Sequence, residues 1–360
     1  MKKIRVGVLF GGKSAEHEVS LRSAKNIIAA LDPEKYDVAL IGIDKAGKWH
    51  VRDSATNLLN TPDPKMLAFR DGDSVALIPS APAGSLVTMQ GTEPALDVVF
   101  PVLHGTNGED GTMQGLLRLL DLPFVGPDVL GSAIGMDKDA AKRLLRDAGI
   151  PIARFVTVPA HKRSEISFEK LSAELGMPMF VKPANSGSSV GVYKIKTAED
   201  FAAAADNAFK YDTKIIFEEC VVGREIECSV LGNEIKEASV PGEIIPHHEF
   251  YSYEAKYLDE NGAGLEIPAK LTPELVKKMQ ELAVRTCEVL CVEGMARVDC
   301  FLRGDEFIVN EINTIPGFTN TSMYPKLWEA SGLSYKDLIS KLLDLAIARH
   351  ERDSKIKRSY

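Results

Sequence analysis

The chain has no CxxC pair and only five cysteines, an odd number. Cys287 and Cys291 stand four apart on a helical stretch without partners at metal-ligand spacing. Buried free thiols in a reducing compartment are therefore expected, not a disulfide framework or a zinc site. No apolar run approaches the roughly 18–20 residues needed to span a bilayer. The N-terminal Met1-Lys2-Lys3-Ile4-Arg5-Val6-Gly7 has too short an apolar part for a signal peptide. A cytoplasmic protein without membrane contact is expected. Basic excess is also missing. Lys and Arg number 43 against 51 Asp and Glu, a formal net charge of -8. That argues against nonspecific nucleic-acid binding and confines any anionic nucleotide to a local lysine cluster. No internal repeat or low-complexity segment is present. No GxGxxG follows the first strand, which removes a nicotinamide dehydrogenase.

What is there suits a globular protein of two or three domains: 360 residues, 45% hydrophobic and 26% charged. Strands are expected at Ile4–Phe10, Tyr36–Ile43 and Val98–Leu103, with helices at Ser20–Leu31 and Gly111–Leu120. That alternation reads as an open, mostly parallel α/β domain over residues 1–127, with an insertion at 52–96. A second unit, 128–219, carries a helix at Lys138–Ala148 and strands around a Gly/Ser-rich loop at 183–191. Strands dominate the third, 220–360, until helices at 273–290 and 334–351. The last helix has an apolar stripe, Leu338, Leu342 and Leu345 with Ile339, Leu343 and Ile347, that suits core packing.

Gly7-Val8-Leu9-Phe10-Gly11-Gly12-Lys13-Ser14 matches the P-loop pattern letter by letter. Yet Val8-Leu9-Phe10 reads as strand, and Glu16 and Glu18 would repel phosphate, so a P-loop is rejected. The turn instead presents Glu16 and His17 at the C-terminal edge of a sheet, where open α/β sheets bind ligands. A carboxylate there suits an ammonium group. His104, at the end of another strand, is expected beside Glu16. In the second unit the 183–191 loop can fold over phosphates, with Lys182 and Lys138 as point charges. Residues Glu218-Glu219-Cys220-Val221 form a strand-to-linker segment whose backbone suits an adenine edge, and Glu225 can meet ribose hydroxyls. His247 and His248 lack further ligands for zinc.

The most informative segment comes late. Gly294–Leu302 and Glu306–Ile312 read as a hairpin closed at Arg303-Gly304-Asp305. Glu311 and Asn313, two apart, share a face that Asp299 can join. Two carboxylates and an amide make a hard oxygen site for Mg²⁺ shared with phosphates, not for zinc.

Taken together these motifs resemble the D-alanine–D-alanine ligases of the ATP-grasp superfamily. The resemblance runs through Gly11-Gly12-Lys13-Ser14-Ala15-Glu16-His17-Glu18-Val19-Ser20, His104-Gly105 with Gly108-Glu109-Asp110-Gly111, and Met136-Asp137-Lys138. It continues through Val181-Lys182-Pro183, Gly187-Ser188-Ser189-Val190-Gly191 and Tyr253-Glu254-Ala255-Lys256-Tyr257. It closes with Arg297-Val298-Asp299 and Asn310-Glu311-Ile312-Asn313-Thr314-Ile315-Pro316-Gly317. It implies a three-domain ATP-grasp fold, with ATP held between the second and third domains. It implies that one D-alanine is phosphorylated by ATP and condensed with a second, for cell-wall precursor synthesis. A D-alanine–D-lactate ligase is the alternative on the same fold. A noncatalytic nucleotide-binding protein would not need Arg297 beside the acids.

The resemblance also implies roles. Glu16 would hold the first ammonium. Lys138, Lys182 and Lys256 would neutralise phosphates beside Asn310 and Glu311. Two Mg²⁺, replaceable by Mn²⁺, would sit on Asp299, Glu311 and Asn313. Arg297 and the Gly317 N–H would form an oxyanion site, and Ser322 and Met323 would meet the second substrate. Ser188 and Tyr257 would link toward Glu16, and a homodimer is expected.

The segment 247–264 is polar, contains glycine, has no period, and carries Lys256 and Tyr257, which reads as a lid. Hydrogen exchange across it should slow when ATP and a substrate analogue bind. Equal protection in both states would remove the gating role.

Overall fold

The computed structural model describes residues 2–52, 75–77, 86–88, 91–92, 94–246 and 263–357. The first sheet has the order β3-β2-β1-β7, from β1 (Ile4–Gly11), β2 (Tyr36–Ile43), β3 (Trp49–Arg52) and β7 (Val98–Val102). Three short strands, β4 (Val75–Leu77), β5 (Leu86–Thr88) and β6 (Gly91–Thr92), pair among themselves inside the expected insertion. β1 pairs in parallel with both β2 and β7, and only β3 is antiparallel. β1 and β7 are buried almost throughout, as a sheet covered on both faces requires. Gly7 lies inside β1, so the letter-perfect P-loop match is strand. The first helix, α1, spans His17–Ala30 and begins at the C-terminal end of β1.

After α2 (Thr112–Leu119), α3 (Val129–Met136) and α4 (Lys138–Asp147) comes an antiparallel sheet of order β10-β9-β11-β8. Its strands are β8 (Phe155–Pro159), β9 (Met179–Pro183), β10 (Tyr193–Ile195) and β11 (Lys214–Glu219). Helices α5 (Phe168–Leu175) and α6 (Ala198–Ala208) cover one face, around stacked Phe201 and Phe217. The third sheet has the order β15-β14-β12-β16-β17, with β13 (Glu237–Ala238) on the side of β12. It is built from β12 (Arg224–Gly232), β14 (Gly242–Pro246), β15 (Ala263–Glu266), β16 (Gly294–Arg303) and β17 (Glu306–Asn313). Helix α7 (Pro273–Val289) packs on its inner face. Two helices close the chain, α8 (Met323–Ala330) and α9 (Tyr335–Ser354).

One core joins the two ends of the chain. Leu338, Ile339, Leu342 and Leu343 of α9 bury the expected stripe against β1, β7 and α1. Phe318 stands at its centre, edge-on to Phe100 at 5.8 Å and to Tyr335 at 6.2 Å. This contact fixes the edge of the first sheet against the loop that follows β17. Arg349, buried at the same junction, donates to the carbonyls of Phe124 and Gly126 and lies 4.7 Å over the Phe124 ring. Among the described residues no carboxylate pairs with it, so its removal strands two buried carbonyls.

Among the described residues no helix is long and apolar enough to cross a membrane. Replacing Arg349→Met should lower stability by about 2–4 kcal/mol, read from the urea unfolding midpoint. An unchanged midpoint would show that the junction does not depend on this cation.

Candidate active site

The hairpin behaves as its two-residue period requires. β16 ends at Arg303, Gly304 turns with φ +61°, and β17 starts at Glu306. In register, Asp299 faces Glu311 and Arg297 faces Asn313. Directly opposed residues of antiparallel strands share a face, so all four converge. A bulge after Asp299 leaves Asn310 out of the ladder and gives β17 one extra residue. Bulges re-aim side chains. Here Asn310 lines a different cavity from Asn313.

Arg297 is held by two acids. Its Nε lies 2.8 Å from Glu227 and 2.7 Å from Asp299, and its Nη2 lies 2.7 Å from Asp299. Burial opposes its charge, but Asp299 and Glu227 outweigh burial and raise its pKa. Asn313 Nδ2 donates to Asp299 at 2.8 Å. Glu227 went unnoticed in the sequence. Its only signal was alternation on β12, where it pairs in register with Asp299.

Two cavities meet here. One of about 200 Å³ is lined by Glu16, His104, Glu227, Arg297, Gly317 and Met323. Another, of about 350 Å³, is lined by Lys138, Lys182, Cys220, Val221, Glu225 and Asn310. Gly187, Ser188 and Glu311 belong to both walls. Ser322 also lines the first, and a Cβ on Gly317 would come within 2.7 Å of its Oγ. A side chain there would push aside the Ser322 hydroxyl, which accepts the Thr319 N–H at 2.9 Å.

Glu16 precedes α1 as its N-terminal cap residue and is buried. The Ser188 hydroxyl donates to it across 172 residues. Ser188 and Ser189 take positive φ, +49° and +58°, in the turn that delivers this contact. His104 is wholly buried beside Glu16. Its Nδ1–H donates to the Ile315 carbonyl at 3.0 Å, and burial lowers its pKa. Glu109 carries a raised pKa of about 8, from burial and the charge of Glu16.

The lysines are less free than sequence suggests. Lys182 pairs with Glu218 at 2.5 Å, and buried Lys142 pairs with the same carboxylate. Lys142 was missed because it reads as an ordinary helix residue. Lys138 donates to the Ser186 carbonyl at 2.7 Å and lies 3.5 Å from Glu311. The Glu219 side chain turns away to Arg154, at 2.8 Å, leaving its backbone on the cavity wall. Lys256, Tyr257 and residues 247–262 of the expected lid, 247–264, lie outside the described residues, and its last two, Ala263 and Gly264, belong to β15 instead, paired to β14.

Residues 5–127 match a family model described as D-ala D-ala ligase N-terminus, and residues 144–344, through most of the second and third units, match one described as D-ala D-ala ligase C-terminus. The chain belongs to the D-alanine–D-alanine ligase family. It is 56% identical to the D-alanine–D-alanine ligase of Oceanobacillus iheyensis, covering 100% of this chain and 99% of the relative. It is 54% identical to D-alanine–D-alanine ligase A of Escherichia coli K12, covering 99% of each. The D-alanine–D-alanine ligase structure from Coxiella burnetii superposes with a TM-score of 0.88 at 40% identity, over 99% of this chain and 97% of that one. The VanG D-Ala:D-Ser ligase of Enterococcus faecalis gives 0.86 at 35%, over 96% of this chain and 100% of that one. The fold is that of these ligases, an ATP-grasp fold.

In this ligase-family chain Glu218 sits between two lysines, which hold its carboxyl below the usual range although burial pushes it up. Glu218→Gln should cost about 3–5 kcal/mol, because buried Lys142 loses the carboxylate it pairs with directly. A depressed folded pKa stabilises above the unfolded value, roughly 4.3, and that stability is lost as pH falls through the folded one. The gap between wild type and variant should therefore narrow as pH drops below about 4. A gap that stays constant to pH 2 would contradict the pairing.

Proposed function

We propose that the chain joins two D-alanine molecules into D-alanyl-D-alanine with consumption of ATP. The observation that carries this is the shared wall: Glu311, Gly187 and Ser188 belong to both cavities. A phosphoryl group can pass from one cavity to a carboxylate in the other without crossing solvent.

In this reading the first cavity takes the amino acids. Glu16, steadied by Ser188, pairs with the first ammonium. The carboxylate of that first D-alanine attacks the γ-phosphate, forming an acyl phosphate and ADP. The second amine then attacks the acyl carbon, and phosphate leaves with the former carboxylate oxygen. Arg297 and the Gly317 N–H steady the oxyanion of that step. Ser322 and Met323 bound the place of the second substrate. His104, clamped and neutral, orients the loop that follows β17.

The nucleotide fits the second cavity. Glu218, Glu219, Cys220 and Val221 pass along the base, Glu225 faces the ribose, and Lys138, Lys182 and Lys256 meet the phosphates. The donor set fits Mg²⁺. Asp299, Glu311 and Asn313 present hard oxygens on one face, with no imidazole or thiolate among them. Mg²⁺ held there would neutralise phosphate charge during transfer. The reading includes three domains, 1–127, 128–219 and 220–360, and a homodimer that sedimentation equilibrium tests.

The D-alanine–D-lactate alternative is not favoured by the curated relatives at 52–56% identity, all named D-alanine–D-alanine ligase. ATP, Mg²⁺ and D-alanine should give ADP and dipeptide in equal amounts. ATP turnover indifferent to D-alanine would sink the reading. Glu311→Gln should cut turnover by roughly 10³-fold or more with the fold intact, since a metal-site charge is lost. Near-normal turnover would withdraw Glu311 as a ligand.

A further inference from the structure

One helix runs along the amino-acid cavity. Glu16 caps the start of α1, and Val19 and Arg22, three apart on one face of that helix, also stand on the cavity wall. At 1.5 Å of rise per residue, Arg22 lies about 9 Å along the axis from Glu16. The next turn of α1 is clamped to the loop that follows β17. Ser23 Oγ accepts the Phe318 N–H at 3.1 Å. Asn26 Nδ2 donates to the Phe318 carbonyl at 3.0 Å and to Asn320 Oδ1 at 2.9 Å. These bonds begin one residue after Arg22, so they carry it toward the end of the cavity formed by Thr319, Thr321 and Ser322. The three hydroxyls are linked there: Thr319 Oγ1 lies 3.1 Å from Thr321 Oγ1 and 2.8 Å from Ser322 Oγ.

An incoming amino-acid carboxylate needs a cation, because the cavity wall also carries Glu16, Glu109, Glu227 and Glu311. Among the described residues two arginines line it, Arg22 and Arg297. Arg297 is committed to Glu227 and Asp299. Arg22 is exposed, and among the described residues no carboxylate pairs with it. Its planar fork can meet a carboxylate through two parallel N–H bonds.

We infer that Arg22 receives the carboxylate of the second amino acid beside the Ser322 hydroxyl, so that α1 spans the dipeptide from its ammonium at Glu16 to its carboxylate at Arg22. This rests on the reading in which Glu16 holds the first ammonium and Ser322 borders the second substrate. The lengths agree. Two extended residues span at most about 7 Å, and the reach of the arginine side chain covers the rest of the distance along the helix. The acceptor admitted is a small amino acid with a free carboxylate. An amide or ester in its place would leave the guanidinium with no charge to meet. The finished dipeptide keeps both charged ends, so Arg22 holds product as well as substrate. Because Arg22 is solvated, its ion pair is modest and screened by salt.

The test is kinetic. The full chain is assayed with ATP and Mg²⁺ over a range of D-alanine concentrations wide enough to separate the Michaelis constants of the first and second amino acids. Arg22→Gln keeps a good helix former at an exposed position, so the fold is retained. It should raise the second constant about 3- to 10-fold and leave the first constant, the constant for ATP and kcat within about twofold. Inhibition by D-alanyl-D-alanine should weaken by a similar factor. Arg22→Lys, which keeps the charge, should recover most of the loss. Added sodium chloride should raise the second constant of the wild-type protein and barely move that of Arg22→Gln, a difference that a purely structural role would not produce. Ser322→Ala is the control for the site itself and should also raise the second constant. If it does so and Arg22→Gln does not, Arg22 alone is overturned. A rise confined to the first constant or to that for ATP would overturn Arg22 as well. If neither substitution moves the second constant, the place given to the second substrate falls. Absence of dipeptide from the wild-type reaction would overturn the ligation reading beneath.

Discussion

The register of one hairpin carries the rest. Asp299 opposite Glu311, with Arg297 opposite Asn313, sets two acids, an amide and a cation on one face of the third sheet. A slip of one residue would turn every one of them into the core. Val298 and Ile312, which now lie in the core shared with α3 and α7, would face the cavity in their place. The apolar alternation of the hairpin therefore fixes the chemistry. The bulge after Asp299 adds the second requirement, since it gives β17 a residue, Asn310, for the neighbouring cavity.

An acid-rich face needs counter-charge in a partly buried site. The fold supplies it in alternation. Arg297 lies between Glu227 and Asp299, Glu218 lies between Lys142 and Lys182, and Lys138 lies beside Glu311. Isolated, each of these ions would cost several kcal/mol to bury. Paired, they are tolerated and they stay addressable: a polyphosphate can take Lys182 and Lys138 as partners. Asp299 is shared between Arg297 and Asn313, so a cation binding there must draw on the same oxygens. Glu227 keeps Arg297 in place when that happens.

Local pattern made the hairpin, the parallel first sheet and the α9 stripe readable, because each is encoded within a few turns or strands. Two helices escaped. In α3, Gly131 and Gly135 look like breakers, but they serve contact. A Cβ on Gly131 would meet the Cys291 carbonyl at 2.4 Å, and one on Gly135 would meet Thr314 at 2.6 Å. In α8, Pro325 falls in the first turn, where no intrahelical N–H is needed. The site was readable residue by residue and not pair by pair. Glu227 with Arg297, Lys142 with Glu218, and Glu109 with Glu16 join different elements, and no local period announces such partners. The positive φ of Ser188 and Ser189 was equally hidden, since serine carries no signal for it.

The central claim is that one cavity phosphorylates a carboxylate and passes the acyl group to an amine in the other half of the same space. Oxygen tracing tests it most directly. D-alanine labelled with ¹⁸O in its carboxylate is turned over with ATP and Mg²⁺, and the released phosphate is analysed by mass. The account predicts one ¹⁸O atom in each phosphate, because the attacking carboxylate oxygen leaves with it. Phosphate free of label, with dipeptide formed, would contradict it.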